Sequence, residues 1–215
     1  MPTTESLKIT RTLELCLAHH LPLLLVGPTG TGKSVSVQQV LRAAPRETNT
    51  IIQIAFSAKS TTRQTSEILL AKLQKTGRRV VGPAPGKRAT LFVDDLNMPQ
   101  KEKYGAQPPI ELLRQWMDYG GWYNINSPER EFTRIEGVRF VGAMGPPGSG
   151  RNSISSRYIR HFNVLYIEPY SKDSLKSIFS TIMDWLFLSK STPTPFPQAV
   201  QSMKESLVLN TIMIY

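Results

Sequence analysis

The chain has one cysteine, three histidines and no long apolar run. Cys16 alone permits no internal disulfide, which suits a reducing compartment, and leaves no thiolate cluster to hold a structural metal. His19, His20 and His161 do not form a ligand pattern; the His19-His20 pair ends a helical stretch, where a cation is favourable. No apolar stretch is long enough to span a membrane, and residues 1–20 lack a basic start followed by an apolar core. The sequence therefore predicts a soluble, cytosolic chain with no membrane partner. Acidic residues are few beside basic ones, 16 Asp and Glu against 26 Lys and Arg, for a formal net charge of +10. Such a surplus raises the idea of a polyanionic partner. The basic residues are scattered, however, in small groups at Arg78-Arg79, Lys87-Arg88 and Lys101/Lys103, and no aromatic-interleaved basic face is visible. Phosphate sites and exposed helices are expected to carry the surplus, and nucleic acid is not expected as a partner. With 215 residues, 40% of them hydrophobic, the chain can build one domain with a core, or one domain and part of another.

What is present is a phosphate-binding pattern. Gly27-Pro28-Thr29-Gly30-Thr31-Gly32-Lys33-Ser34 reads G-x-x-x-x-G-K-[ST]. The apolar block Leu23-Leu24-Leu25-Val26 runs into it as a buried parallel strand would. A helical pattern follows from Ser34, with Val37, Val40 and Leu41 at helical spacing. Glycines at 27, 30 and 32 let the backbone curl and turn its N–H groups onto phosphate oxygens. The helix N-terminus near Gly32 adds partial positive charge. Lys33 is placed to reach the β- and γ-phosphates of ATP, and the Ser34 hydroxyl to hold Mg²⁺. A second glycine-rich run, Gly145-Pro146-Pro147-Gly148-Ser149-Gly150, carries no lysine and is weak alone.

Further strands are expected at 51–56, 89–94, 138–143 and 164–167, and helices at 4–18, 60–76, 108–119, 154–161, 171–188 and 198–215. Gly77 is the expected cap of the 60–76 helix, and 122–136 reads as a polar hairpin or insertion. Alternating strands and helices, with the phosphate loop after the first strand, predict an α/β fold of P-loop type, a five-stranded parallel sheet between helices. Ligands then sit at the carboxyl ends of the strands. The strand Leu91-Phe92-Val93 ends in Asp94-Asp95, which completes a nucleotide site: Asp94 on the metal side, acting through water, and Asp95 to orient the attacking water. The strand ending at Met144-Gly145 should lie beside the γ-phosphate. Arg157 and Arg160, three residues apart on a short helix, are candidates to reach a phosphate of this chain or a neighbour. Residues 1–190 are expected to form the nucleotide-binding part, and 191–215 a linker and the start of a further helical part.

The phosphate loop, the stretch FVDDLNMPQKEKYGAQPPIELLRQWMDYGGWY and the run AMGPPGSGRNSISSRYIRHFNVLYIEP together resemble one AAA+ module of a dynein heavy chain, of the axonemal type. The match is with the third module of the six-module ring and covers nearly the whole chain. The resemblance implies an ATPase that works in microtubule-based motility in the axoneme of the cilium, a cytoskeletal structure, with ATP and Mg²⁺ as cofactors. Its partners would be neighbouring modules of the same heavy chain and other dynein chains, with microtubules reached only through a stalk that these residues do not contain. It implies that Pro2-Thr3 begin an adenine-side loop, that Met144–Pro147 form the first sensor, and that Arg160 is an arginine finger offered to the preceding module's nucleotide. It also implies that 171 onward leads into a helical lid subdomain. Two positions depart from the common AAA+ pattern: Asp95 stands where many have Glu, and Gly145 offers no side chain where many have Asn or Thr. Most of a lid would lie beyond residue 215, so the resemblance is to a fragment or short product, slow or inactive alone. Two other readings stay open, a module that holds nucleotide with little hydrolysis and, further off, an AAA+ protein that remodels nucleic acid.

Overall fold

Helix α1 (Thr4–Ala18) buries Ile9, Leu13 and Cys16, residues four and three apart and hence on one face. Leu7 and Leu15 of the same helix lie on other faces and are exposed. Strand β1 (Leu23–Val26) leads through the glycine loop into α2 (Lys33–Ala43), which buries Val37 and Leu41. Strand β2 (Asn49–Ala55) is followed by α3 (Thr62–Lys72). A reciprocal cap starts α3: Thr61 Oγ1 accepts from the Gln64 N–H and Gln64 Oε1 from the Thr61 N–H. The helix ends at Lys72 rather than Thr76, because Leu73 turns extended and Gln74–Gly77 becomes β3, paired antiparallel with β4 (Val80–Gly82). Gly77 is thus a strand residue and not a helix cap. Then come β5 (Arg88–Asp94), α4 (Pro108–Tyr119), β6 (Gly121–Tyr123), β7 (Phe132–Ile135), β8 (Val138–Met144), α5 (Ser156–Ile159) and β9 (Asn163–Tyr166). The chain continues as α6 (Lys172–Leu188), α7 (Gln198–Ser202) and α8 (Lys204–Ile214), so the single helix expected over 198–215 is two. This computed structural model describes residues 3–124, 130–148, 150–188 and 196–214; part of the expected 122–136 hairpin and most of the 191–197 linker lie outside them. Residues 6–168 form one compact unit, and 3–5 with the described residues from 169 onward form another, which includes α6.

The main sheet has the order β2-β5-β8-β1-β9, and every neighbouring pair in it is parallel. Successive side chains on a strand point to opposite faces, and the two cores divide accordingly. Leu24, Leu91, Val93 and Phe140 pack with Leu69, Leu113 and Trp116 from α3 and α4. Leu23, Leu25, Phe92 and Val141 pack with Ile9, Leu13, Val37 and Leu41 from α1 and α2. The result is the expected parallel sheet of five strands between two helical layers. The sequence did not announce a second sheet, of order β3-β4-β7-β6. It is joined to the first through Trp116, whose ring lies 5.4 Å from Trp122 of β6 edge-on and 4.4 Å from Phe140 of β8. Trp116 Nε1 also donates to the Ile135 carbonyl at 3.3 Å.

At the far end of α4, Asp118 gathers three basic side chains. Arg114 Nη1 lies 2.5 Å from it, Arg160 Nη2 2.7 Å and His161 Nε2 2.9 Å. The Arg160 hydrogen bond, with help from the other charges, holds the Asp118 carboxyl below its ordinary value.

Two expectations follow for stability. Trp116→Ala should cost about 3–5 kcal/mol in chemical denaturation, the range for removing a buried tryptophan; a loss below about 1 kcal/mol would mean that the two sheets do not depend on this ring. Because the native Asp118 pKa is depressed, its contribution is full above about pH 4, the range of an unfolded aspartate, and fades as pH falls through the lower native value. Asp118→Asn should therefore melt below wild type near neutral pH, with the gap closing under acid. A gap that stays constant down to about pH 2 would show that the carboxylate charge is not the cause.

Candidate nucleotide site

The loop after β1 is built by close approach and by left-handed backbone. A Cβ at Gly27 would strike the carbonyl of Ile167, whose own N–H donates to Val26 O at 2.7 Å. Gly30 and Gly32 hold φ of 85° and 74°, where an L side chain is strained. Gly32 immediately precedes α2, so Lys33 and Ser34 occupy its first turn, where the backbone amides have no partner within the helix. The Lys33 ammonium donates to Gly27 O at 2.8 Å and Pro28 O at 2.5 Å, with Thr31 Oγ1 at 3.3 Å. Thr31 is buried and donates its own hydroxyl to Pro28 O at 2.9 Å, bracing the turn. Burial pushes the Lys33 ammonium below its usual value, Arg151 pushes the same way, and Asp94 and Asp95 oppose both.

The acidic pair meets the loop because β8 alone separates β1 from β5, bringing their carboxyl ends close. Ser34 Oγ donates to Asp94 Oδ1 at 2.8 Å, and the Asp95 N–H donates to the same oxygen at 3.1 Å. Asp95 itself sits at φ 50°, in the left-handed region that aspartate enters more readily than most residues. The next residue is drawn back to the sheet, Leu96 N–H donating to Ala143 O at 3.0 Å. These groups line a cleft of about 350 Å³ with Thr29, Gly30 and Gly32 on one side and Met144, Gly145 and Arg151 on the other.

Lys33, Ser34, Asp94 and Asp95 thus converge, and the end of β8 lies beside them. Arg160 is not in this group. It caps the short helix α5 and is held on Asp118, with 63% of its side chain exposed. Arg157 is exposed as well. Pro2, offered as part of an adenine-side loop, lies outside the described residues.

Arg151 was the residue that sequence reasoning passed over. Its guanidinium lies over Gly145, so that a Cβ there would meet Arg151 Nε at 2.7 Å and Cζ at 2.9 Å. Its Nη2 is 3.8 Å from Asp95 Oδ1, beyond hydrogen-bond distance. The signal was available: the glycine-rich run after β8 holds no lysine but is followed directly by this arginine.

The donors fit a nucleoside triphosphate with a hard cation. Loop amides and Lys33 suit phosphate oxygens, while a hydroxyl and a carboxylate 2.8 Å apart are the oxygen pair that a magnesium ion takes with its waters. Residues 1–170 match the family described as P-loop containing dynein motor region. The chain is 47% identical over 189 residues to dynein axonemal heavy chain 3 of Homo sapiens, a match covering 87% of this chain and 4% of that protein. It is 44% identical over 222 residues to dynein axonemal heavy chain 1 of Rattus norvegicus, covering 100% of this chain and 5% of the relative. Against dynein axonemal heavy chain 12 of Rattus norvegicus it is 44% identical over 184 residues, covering 85% and 6%. The chain therefore spans only about a twentieth of the length of these relatives. The family match runs through the loop, the acidic strand end and the β8 segment that build the cleft, and the chain belongs to the P-loop dynein motor-region family.

Proposed function

We propose that the chain is the third AAA+ module of an axonemal dynein heavy chain, binding Mg·ATP in the cleft and hydrolysing it slowly. The observation that carries this reading is the Ser34–Asp94 hydrogen bond at the mouth of the phosphate loop, which joins the loop to the acidic strand end. In this reading Gly27, Pro28, Thr29, Gly30, Thr31 and Gly32 wrap the phosphates with their backbone. Lys33 leaves its loop carbonyls for the β- and γ-phosphate oxygens, and Ser34 and Asp94 hold the cation, the latter through water. Bound Mg²⁺, held by Ser34 and Asp94, would offset the negative charge of the phosphates. Asp95 orients the attacking water in line with the γ-phosphate. Arg160 serves the preceding module's nucleotide; its exposure and its distance from the cleft residues support that assignment. Residues from 171 onward lead into a helical lid, with 191–215 as a linker and the start of it. The setting is the axoneme of the cilium, where the whole heavy chain, with its neighbouring modules and other dynein chains, acts on microtubules.

A second reading, a module that holds nucleotide and seldom cleaves it, is favoured by one observation. Asp95 is a methylene shorter than the glutamate common at this place, and misplacing a catalytic group by about 1 Å can cost roughly a hundredfold in rate. Single-turnover hydrolysis in the assembled ring separates a slow ATPase from a holding module.

Removing the Lys33 ammonium should weaken Mg·ATP binding about tenfold to a hundredfold, the worth of a charge-assisted contact. Calorimetry on folded wild type and Lys33→Ala measures it, and equal affinities would sink the site assignment. The isolated chain should turn over very slowly, because a finger in trans is worth about 10³–10⁵ in rate. Steady-state phosphate release at several turnovers per second by purified monomer would contradict both readings.

A further inference from the structure

We propose that Arg151 is the group that distinguishes ATP from ADP in this cleft, by binding the terminal phosphate in cis. The inference rests on the nucleotide site just described and adds a residue to it. Three observations carry it. Arg151 is a cation lining the same cleft as Lys33 and lies beside Asp95, the residue to which the proposed function gives the attacking water. Its charge is poorly satisfied: the one carboxylate beside it is 3.8 Å away, and its buried Nε has no hydrogen-bond partner among the described residues. A buried donor left unpaired is costly, so an anion that pairs with it is favoured. Its backbone, finally, is fixed on both sides. Arg151 N–H donates to Gly148 O at 3.0 Å and Gly148 N–H to Arg151 O at 3.1 Å. Asn152 Nδ2 donates to Pro99 O at 2.9 Å, and Asn97 Nδ2 to Gly145 O at 2.8 Å.

Gly145 is the complement of this arginine. The stem and guanidinium of Arg151 occupy the space that any side chain at 145 would need, with Cδ 2.8 Å from the position of a Cβ. The missing side chain at 145 is therefore not a lost contact but the room through which Arg151 enters. A guanidinium presents a planar fork of donors that matches phosphate oxygens two at a time. ADP has no oxygen at the Asp95 end of the cleft, so Arg151 stays beside Asp95 when ADP is bound. With a triphosphate, Arg151 moves onto the terminal phosphate and leaves the Asp95 carboxylate free for water.

The test compares two ligands within each protein, Mg·AMPPNP and Mg·ADP, by calorimetry on the 215-residue chain. Arg151→Gln should lower AMPPNP affinity about tenfold or more while ADP affinity stays within about twofold, the loss expected of one charged bidentate contact. Gly145→Ala leaves Arg151 in the sequence but takes its space, and should shift the ratio the same way. Arg151→Lys, which keeps the charge without the fork, should lie between. Thermal melts check that each variant is folded, and the ratio is internal to each protein, so a partly unfolded sample does not imitate the effect. Wild-type chain that binds neither ligand would remove the nucleotide site and this inference together. Wild type that binds both, with the ratio unchanged in Arg151→Gln and Gly145→Ala or with both affinities falling in parallel, would overturn the role of Arg151 alone.

Discussion

Strand β8 is hydrogen-bonded along both edges, to β5 and to β1, and the geometry of the cleft depends on that shared strand. Val93 of β5 and Leu24 of β1 both face Gly142, so the two outer strands are in step before they leave the sheet. One residue past that register β5 delivers Asp94, while β1 delivers the loop and, through it, Ser34. The 2.8 Å bond between Ser34 and Asp94, which are 60 residues apart, is the consequence. A slip of one residue in β8 would turn its buried side chains to the wrong faces and separate loop from acids at once. The site is thus as precise as the core. Phe140 on one face and Val141 on the other hold the register that places the chemistry.

The parts of the fold that were legible in the sequence are those fixed by local chemistry. Leu23–Val26 is too apolar and too short for anything but a buried strand. Pro108-Pro109 and Gly120 bound α4 at both ends, because proline fits the first helical turn and glycine the left-handed stop. The misread parts are those decided at a distance. Residues 73–76 continue a helical pattern, yet the helix stops at Lys72: Leu73 turns extended into the core and 74–77 form β3 because β4 is there to pair with. The hairpin offered over 122–136 is borne out in the antiparallel pairing of β6 with β7, but the packing of Trp122 against Trp116 is a contact between elements that no local window contains. The convergence of Lys33, Ser34, Asp94 and Asp95 on one cleft was legible, since a loop motif and an acidic strand end each announce themselves. Arg151 was passed over although it directly follows the glycine-rich run, because the space above Gly145 that it fills exists only in three dimensions.

The same geometry changes what the positive charge of the chain means. Phosphate sites were expected to carry part of the surplus, but among the lining residues Lys33 and Arg151 are offset by Asp94 and Asp95. The net +10 therefore lies elsewhere on the protein. Balance inside the cleft has a chemical use. Two carboxylates near Lys33 oppose the loss of its charge, which burial and Arg151 both favour. They favour the charged form of the ammonium, the form that meets a phosphate. An entering anion meets the two cations differently: Lys33 already has short-range partners in its own loop, whereas the one carboxylate beside Arg151 is 3.8 Å away. Such a site gains selectivity from the partner that is given up. Lys33 must leave two carbonyl oxygens of its own loop, and only a ligand that offers better acceptors in the same place repays that loss. On the proposed nucleotide reading, a cleft arranged in this way would discriminate by phosphate position more than by total negative charge.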